Sequence, residues 1–314
     1  MDILLPLSIQ QYMKKLIILL LTLTFGPQLF SQSFYSRKID RQWVASIGTG
    51  TAKYFGDLAN PGELFKGARW NIEGGLEYRI DSRFSARASL TAFQFSGGDE
   101  FADDEGRKKR NLSFTTTAFE LAGTGIIQLF EDGARYYQRK PFNVFLLAGV
   151  GLTWYVPKGL STDIYHDGSP NPSAGKMVTL RNLETEQVKY SPFTIAIPIG
   201  GGVKMMTSPF LNITVSGAYR FTFTDYLDDV STVYPGIGNI DEPLSAAMSD
   251  KRFEYDGSVA AAGAIRGNPD NKDGYFIISI RADYFLPPLS LGGNKRKSSI
   301  RRKSKYKNGK AKRR

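Results

Sequence analysis

The sequence predicts an all-β chain, an eight-stranded antiparallel up-and-down transmembrane β-barrel with a closed, charge-filled lumen. Three observations predict it. Apolar and polar residues alternate with period two in eight segments between residues 42 and 286, each about 10–17 residues long. Strands that cross a bilayer need roughly 9–11 residues, whereas strands of soluble sandwiches are usually about 5–6. The connections alternate between short and long, as they do in barrels that keep tight turns on one side of a membrane and loops on the other. The chain also opens with the features of an export signal.

Taken from the N-terminus, Met13-Lys14-Lys15 gives a positive start, Leu16 to Phe25 a short apolar core, Gly26-Pro27 a break and Ser31 a small residue for cleavage. Residues 1–31 are therefore expected to be a signal peptide, with Met13 the true start, and residues 32–293 the barrel. The strand segments follow at 42–57, 69–80, 83–96, 112–130, 142–156, 192–206, 210–226 and 274–286. The clearest is 210–226, where Leu211, Ile213, Val215, Tyr219, Phe221 and Phe223 oppose Asn212, Thr214, Ser216, Arg220, Thr222 and Thr224. Pro198 lies inside the 192–206 segment and is expected to mark a bulge, since it cannot donate to a ladder. Short connections fall at 81–83, 131–141 and 207–209, and long ones at 58–68, 97–111, 157–191 and 227–273.

Eight strands leave an interior just wide enough for side chains. The inward faces carry Glu73, Glu77, Arg79, Arg87, Glu120, Lys204, Arg220, Arg281 and Asp283. Both signs are present, so the lumen is expected to be an ion-paired plug without a wide pore. A three-residue turn at Asp81–Arg83 pairs Ile80 with Phe84 and places Glu77 opposite Arg87. Trp43, Trp70, Trp154, Tyr54, Tyr78 and Tyr284 lie near strand ends, where interfacial girdles form.

Composition excludes much chemistry. With no cysteine there is no disulfide, no thiolate metal site and no lipid anchor at this N-terminus. The single histidine, His166, sits in the loop sequence Asp163-Ile164-Tyr165-His166-Asp167-Gly168, where a solvated side chain is expected rather than a catalytic base or metal ligand. The acidic run Asp99-Glu100-Phe101-Ala102-Asp103-Asp104-Glu105 lacks the spacing and glycine of a calcium loop, and a solvated loop is expected. No catalytic, cofactor or metal residue is assigned, and the chain is not read as an enzyme.

The net charge of +11 is local. Residues 294–314 hold twelve Lys/Arg and no acid, among them Lys295, Arg296, Lys297, Arg301, Arg302 and Lys303, which leaves −1 for the remainder. The export signal argues against nucleic acid as the partner of this tail. Anionic headgroups, an acidic periplasmic protein or no dedicated partner at all remain, and a protein is the preferred functional reading.

The first strand ends Tyr54-Phe55-Gly56-Asp57-Leu58, directly after the Gly-rich stretch Gly48-Thr49-Gly50. In this motif and in its strand-rich body, about residues 40–290, the chain resembles the PorG-like outer-membrane barrels of the Bacteroidetes type IX secretion system. With short turns in the periplasm, eight strands place both termini there as well; the resemblance implies a non-enzymatic protein among outer-membrane lipid, attached to a periplasmic ring built from a lipoprotein and its partner, and supporting secretion and gliding motility. On the residues themselves, Gly56 is expected to supply positive φ and Asp57 to bond the following backbone. The residues leave open a general small barrel, an adhesin or passive binder of small molecules, and at greater distance a lipid-modifying enzyme.

Overall fold

The computed structural model describes residues 40–59, 67–102, 104–133, 135 and 137–287. Among these, nine strands form one antiparallel sheet: β1 (Trp43–Phe55), β2 (Ala68–Arg79), β3 (Phe84–Gly98), β4 (Ser113–Gln128), β5 (Phe142–Leu160), β6 (Met177–Thr179), β7 (Phe193–Ser208), β8 (Leu211–Thr222) and β9 (Gly274–Phe285). All but β6 pair in sequence order, and β9 returns to β1, so eight strands close into a barrel. The closing seam runs from Val44↔Phe285 to Phe55↔Gly274. Closure gives every barrel strand two hydrogen-bonded neighbours, the condition under which a sheet can stand in hydrocarbon. The three residues of β6 add a flap to the end of β5.

Local chemistry sets the register. Asp81 Oδ1 accepts from the backbone N–H of Arg83 at 2.7 Å and of Phe84 at 2.8 Å, which fixes the β2–β3 turn. Ile80 N–H then donates to Phe84 O, and Glu77 stands opposite Arg87. The expected bulge at Pro198 does not form. The β5–β7 ladder omits the pairs around Gly149–Val150 and Ile197–Pro198 but resumes in unchanged register, because the bonds on either side hold the strands while proline forgoes its own. Register shifts occur instead between Ala68 and Asn71 on β2 and between Met206 and Ser208 on β7.

Alternation separates two environments. Ile72, Leu121, Leu146, Ile199, Phe221 and Ile280 are each at least half exposed on the outer face, a contiguous apolar belt that lipid solvates and water does not. Trp43 packs on Tyr78 at 4.8 Å at the short-turn rim, and Phe119 on Trp154 at 5.6 Å at the loop rim. The step from Phe142 to Trp154 along β5 rises roughly 30 Å at ~3.3 Å per residue and ~40° tilt, close to a bilayer core. Tyr54 does not belong to these girdles. It shares the inward face of β1 with Val44 and Ala52 and is 1% exposed.

Inside, the two halves differ. Charged side chains occupy the middle and the short-turn side. The loop side is filled by an aromatic cluster in which Tyr275 lies 5.0 Å from Phe93 and 5.8 Å from Phe95, and Tyr54 meets Phe114 edge-on at 4.9 Å. Both barrel ends of the chain, at Trp43 and Phe285, reach the short-turn rim. The long connections at the other rim carry the short helices α1 (Glu105–Arg110), α2 (Pro243–Ser249) and α3 (Arg252–Asp256).

Ile199 lies midway along the outer face of β7. Replacing it with arginine is expected to cost ~2–4 kcal/mol in urea unfolding from phospholipid bilayers, the penalty of a guanidinium at the bilayer midplane. A barrel that did not cross the membrane would show a much smaller loss.

Candidate functional site: a plugged lumen and a knotted loop cap

Glu73, Glu77, Arg87, Glu120, Arg220 and Arg281 all face the lumen, and each is less than 10% exposed. Glu73 is shared: its Oε1 accepts from Arg281 Nη1 at 3.3 Å and lies 3.5 Å from Arg87 Nη2. Arg281 also donates to Ser216 Oγ, and Arg87 to Ser46 Oγ, both at 3.1 Å. Glu77, though opposite Arg87 in register, takes its hydrogen bonds from Lys204 Nζ across the barrel, at 2.9 and 3.2 Å. Glu120 lies 3.6 Å from Arg220 and accepts from Tyr275 Oη at 2.6 Å. Toward the short turns, Arg79 is 3.6 Å from Asp132. Arg139 stacks 3.7 Å from the centre of the Phe285 ring while donating to Asn212 and to the Ser208 and Pro209 carbonyls.

Between Glu73, Arg87, Glu120, Arg220 and Arg281 a cavity of about 30 Å³ remains. That is room for a water or two, not for a solute path. The arrangement ties side chains of β2, β3, β4, β7, β8 and β9 together across the lumen. Gly50 and Gly200 permit the close approach this needs, since a Cβ on either would lie within 2.2 Å of a neighbouring strand's carbonyl oxygen.

The motif at the end of β1 ties the loop rim together. Tyr54 Oη is 2.6 Å from Asp228 Oδ2 and 2.5 Å from Asp273 Oδ1. Phe55 packs 5.7 Å from Tyr219. Gly56 does not have positive φ; it is required for space, because a Cβ there would stand 1.9 Å from Tyr54 Oη and 2.0 Å from Asp273 Oδ1. Among the described residues, Asp57 Oδ2 accepts from Asn268 N–H at 2.6 Å and its carbonyl accepts from Arg110 Nη2 at 3.3 Å. Leu58 is buried, with its N–H toward Asp228 Oδ2 at 3.3 Å and its carbonyl accepting from Gly98 N–H. The five residues thus bind the first, second and fourth long connections into one body.

Two further ion pairs complete the cap. Asp99 is fully buried and receives Arg110 Nε at 2.7 Å, Arg110 Nη2 at 2.6 Å and Arg107 Nε at 3.2 Å. Among the described acids of the run Asp99 alone is buried, while Glu100, Asp104 and Glu105 are exposed as expected of a solvated loop. The run's first carboxylate is neutralised from within, Asp104 caps α1 by accepting from Arg107 N–H, and no metal-binding group of three acids or histidines occurs among the described residues. Arg266 Nη1 donates to Glu186 Oε1 at 2.7 Å and to the Asp229 carbonyl at 2.6 Å. His166 is half-buried rather than solvated: its ring centre is 4.2 Å from that of Phe253 in α3, and burial lowers its pKa. Neither ring nitrogen is hydrogen-bonded to a hydroxyl that could serve as a nucleophile.

Burial governs the acids of the cap. The Asp225 carboxyl is pushed up to about 6. Asp57 is raised in the same sense by burial, against the pull of Asn268 N–H and Arg110. Asp228 and Asp273 are both raised, by burial and, for Asp273, by the neighbouring Asp228 charge. None of Asp228, Asp273, Arg110, Glu186 or Arg266 is legible as a site in the sequence, since they lie in irregular connections without period or spacing. The tail residues Lys295, Arg296, Lys297, Arg301, Arg302 and Lys303, like the signal segment, lie outside the described residues.

Belt, closed ladder and filled interior define a small, plugged, membrane-spanning β-barrel. No protein-family model matches the chain, and no curated protein matches it. Solved structures do. Neisserial surface protein A is 8% identical, with 78% of this chain and 97% of that chain covered and a TM-score of 0.38. The N-terminal β-barrel domain of Pseudomonas aeruginosa OprF is 7% identical over 78% and 98%, with a TM-score of 0.34. The outer membrane enzyme PagL is 12% identical over 78% and 99%, with a TM-score of 0.29.

Two substitutions test the site. Glu73→Gln leaves Arg87 and Arg281 without their shared charge and is expected to cost ~3–5 kcal/mol in equilibrium unfolding. Gly56→Ala forces Tyr54 off its two aspartates, so protease should cut the long connections faster while the barrel still migrates as a folded species on an unheated gel.

Proposed function

We propose that this protein is a structural, non-enzymatic component of a bacterial outer membrane. In this reading it belongs to the type IX secretion machinery and anchors a periplasmic ring, containing a lipoprotein and its partner protein, in support of secretion and gliding motility. The observation that carries the reading is the filled lumen. With ion pairs in its middle and aromatics toward the loops, the mid-lumen keeps a cavity of only about 30 Å³, so in this reading the protein's work falls to its surfaces. Both barrel termini meet the short-turn rim, which the reading places in the periplasm. In this reading residues 294–314, with their twelve cations, lie on the side of the ring. An acidic face on a ring protein is the complementary partner, giving speed and specificity of encounter. The Tyr54–Leu58 motif contributes by holding the loop rim rigid.

Affinity purification of the full chain in mild detergent is expected to recover a lipoprotein and its partner. Deleting residues 294–314 should weaken that recovery sharply, and raising the salt should weaken it in the intact chain. Recovery of lipid alone, with secretion and motility intact in a deletion strain, would discard the reading. One observation favours a second: the long connections fold into an ordered cap with buried ion pairs, a surface suited to an adhesin or a passive binder. Loss of surface attachment, with secretion unchanged, would select it.

A further inference from the structure

The geometry points to a proton held on Asp273 Oδ1, shared through Tyr54 with Asp228, as the latch that keeps the loop cap shut. One phenol oxygen lies 2.6 Å from Asp228 Oδ2 and 2.5 Å from Asp273 Oδ1, and neither aspartate is more than 2% exposed. A phenol has one proton and donates once. Two contacts this short require a second proton, and only a carboxyl can supply it. The other hydrogen bonds decide which. Asp228 accepts Val230 N–H on Oδ1 at 2.9 Å and Leu58 N–H on Oδ2 at 3.3 Å, the surroundings of an ionised carboxylate. Asp273 Oδ2 accepts Leu227 N–H at 2.9 Å, but among the described residues Oδ1 is hydrogen-bonded to Tyr54 alone. The chain of donation therefore runs from Asp273 Oδ1–H to Tyr54 Oη, and from Tyr54 Oη–H to Asp228 Oδ2.

The groups packed around the pair favour this. Asp57 from the first connection and Asp225 from the fourth add negative charge, while Arg110 in α1 offsets it at Asp228. Tyr155, Tyr190 and Tyr219 face the aspartates from β5, the third connection and β8, and are neutral near pH 7. A carboxyl whose pKa is raised in the closed cap holds its proton more tightly there than in the opened cap. The stability this adds is full below the ordinary carboxylate range, near pH 4, and is lost as pH climbs through the raised value. Loss of the proton to solvent leaves two buried carboxylates on one phenol, and the cap loosens while the barrel, held by its own ladder, stays closed.

The test uses the full chain in bilayers with a spin label on Ser258→Cys, a clean site because the chain has no other cysteine. The label's mobile fraction is expected to rise with pH, by up to ~tenfold per unit between pH 5 and the raised value. Asp273→Asn replaces the carboxyl O–H with an amide donor, so its label should stay immobile across that range. Asp228→Asn removes the carboxylate that collects three donors, so its label should be mobile already at pH 5. Infrared spectra of the otherwise wild-type chain near pH 6 should show a protonated buried carboxyl that Asp273→Asn removes. Unheated gel migration reports whether each barrel is folded. Absence of that infrared band, or equal behaviour of the two asparagine variants, overturns the assignment; the infrared result stands even if Asp228→Asn fails to fold.

Discussion

The rest of the structure depends on the exclusion of water from an eight-stranded lumen. A barrel of this width has room for side chains and little else. A charge turned inward is therefore stabilised by an opposite charge on another strand, because bulk water does not surround it and an unpaired buried ion costs several kcal/mol. Glu73 answers two arginines, Lys204 answers Glu77, and Glu120 answers Arg220. These pairs do more than neutralise. A one-residue slip of any strand would send its charges into lipid and its apolar residues into the lumen, so the ion pairs and the outer belt fix the same register from opposite faces.

The same constraint, displaced to the loop rim, explains the cap. Connections of this length ordinarily stay in water, yet here Asp99, Glu186, Asp228, Asp229, Arg266 and Asp273 are buried. Their burial is supported by the aromatic cluster below, whose upper members, Tyr54 and Phe114, form its floor. The cap and the lumen are thus one continuous interior whose character changes from ionic to aromatic to ionic along the barrel axis.

Much of this was legible in the sequence because strands carry their own period. The eight segments from 42–57 to 274–286 match the observed strands to within a few residues, since lipid outside and packing inside impose opposite polarity on alternate positions. The facing of Glu77 and Arg87 was legible because Asp81 writes the turn locally. That Lys204 rather than Arg87 hydrogen-bonds Glu77 was not, as it depends on how far the strands are sheared when the sheet closes. The inward place of Tyr54 is not legible, because aromatic type and strand-end position do not reveal which face a residue takes, and the alternation of β1 is diluted by Gly48 and Gly50. The cap was illegible altogether. Asp228 and Asp273 lie 45 positions apart and meet only through Tyr54.

The seam between β1 and β9 joins residues 219 to 241 positions apart, and it is the pairing that makes the cylinder. Every other barrel ladder joins strands that are neighbours in the chain. The first strand therefore waits, with one edge unsatisfied, until the last has been delivered. That one long-range pairing removes both open edges of the sheet at once, the edges at which an unclosed sheet would pair with another chain.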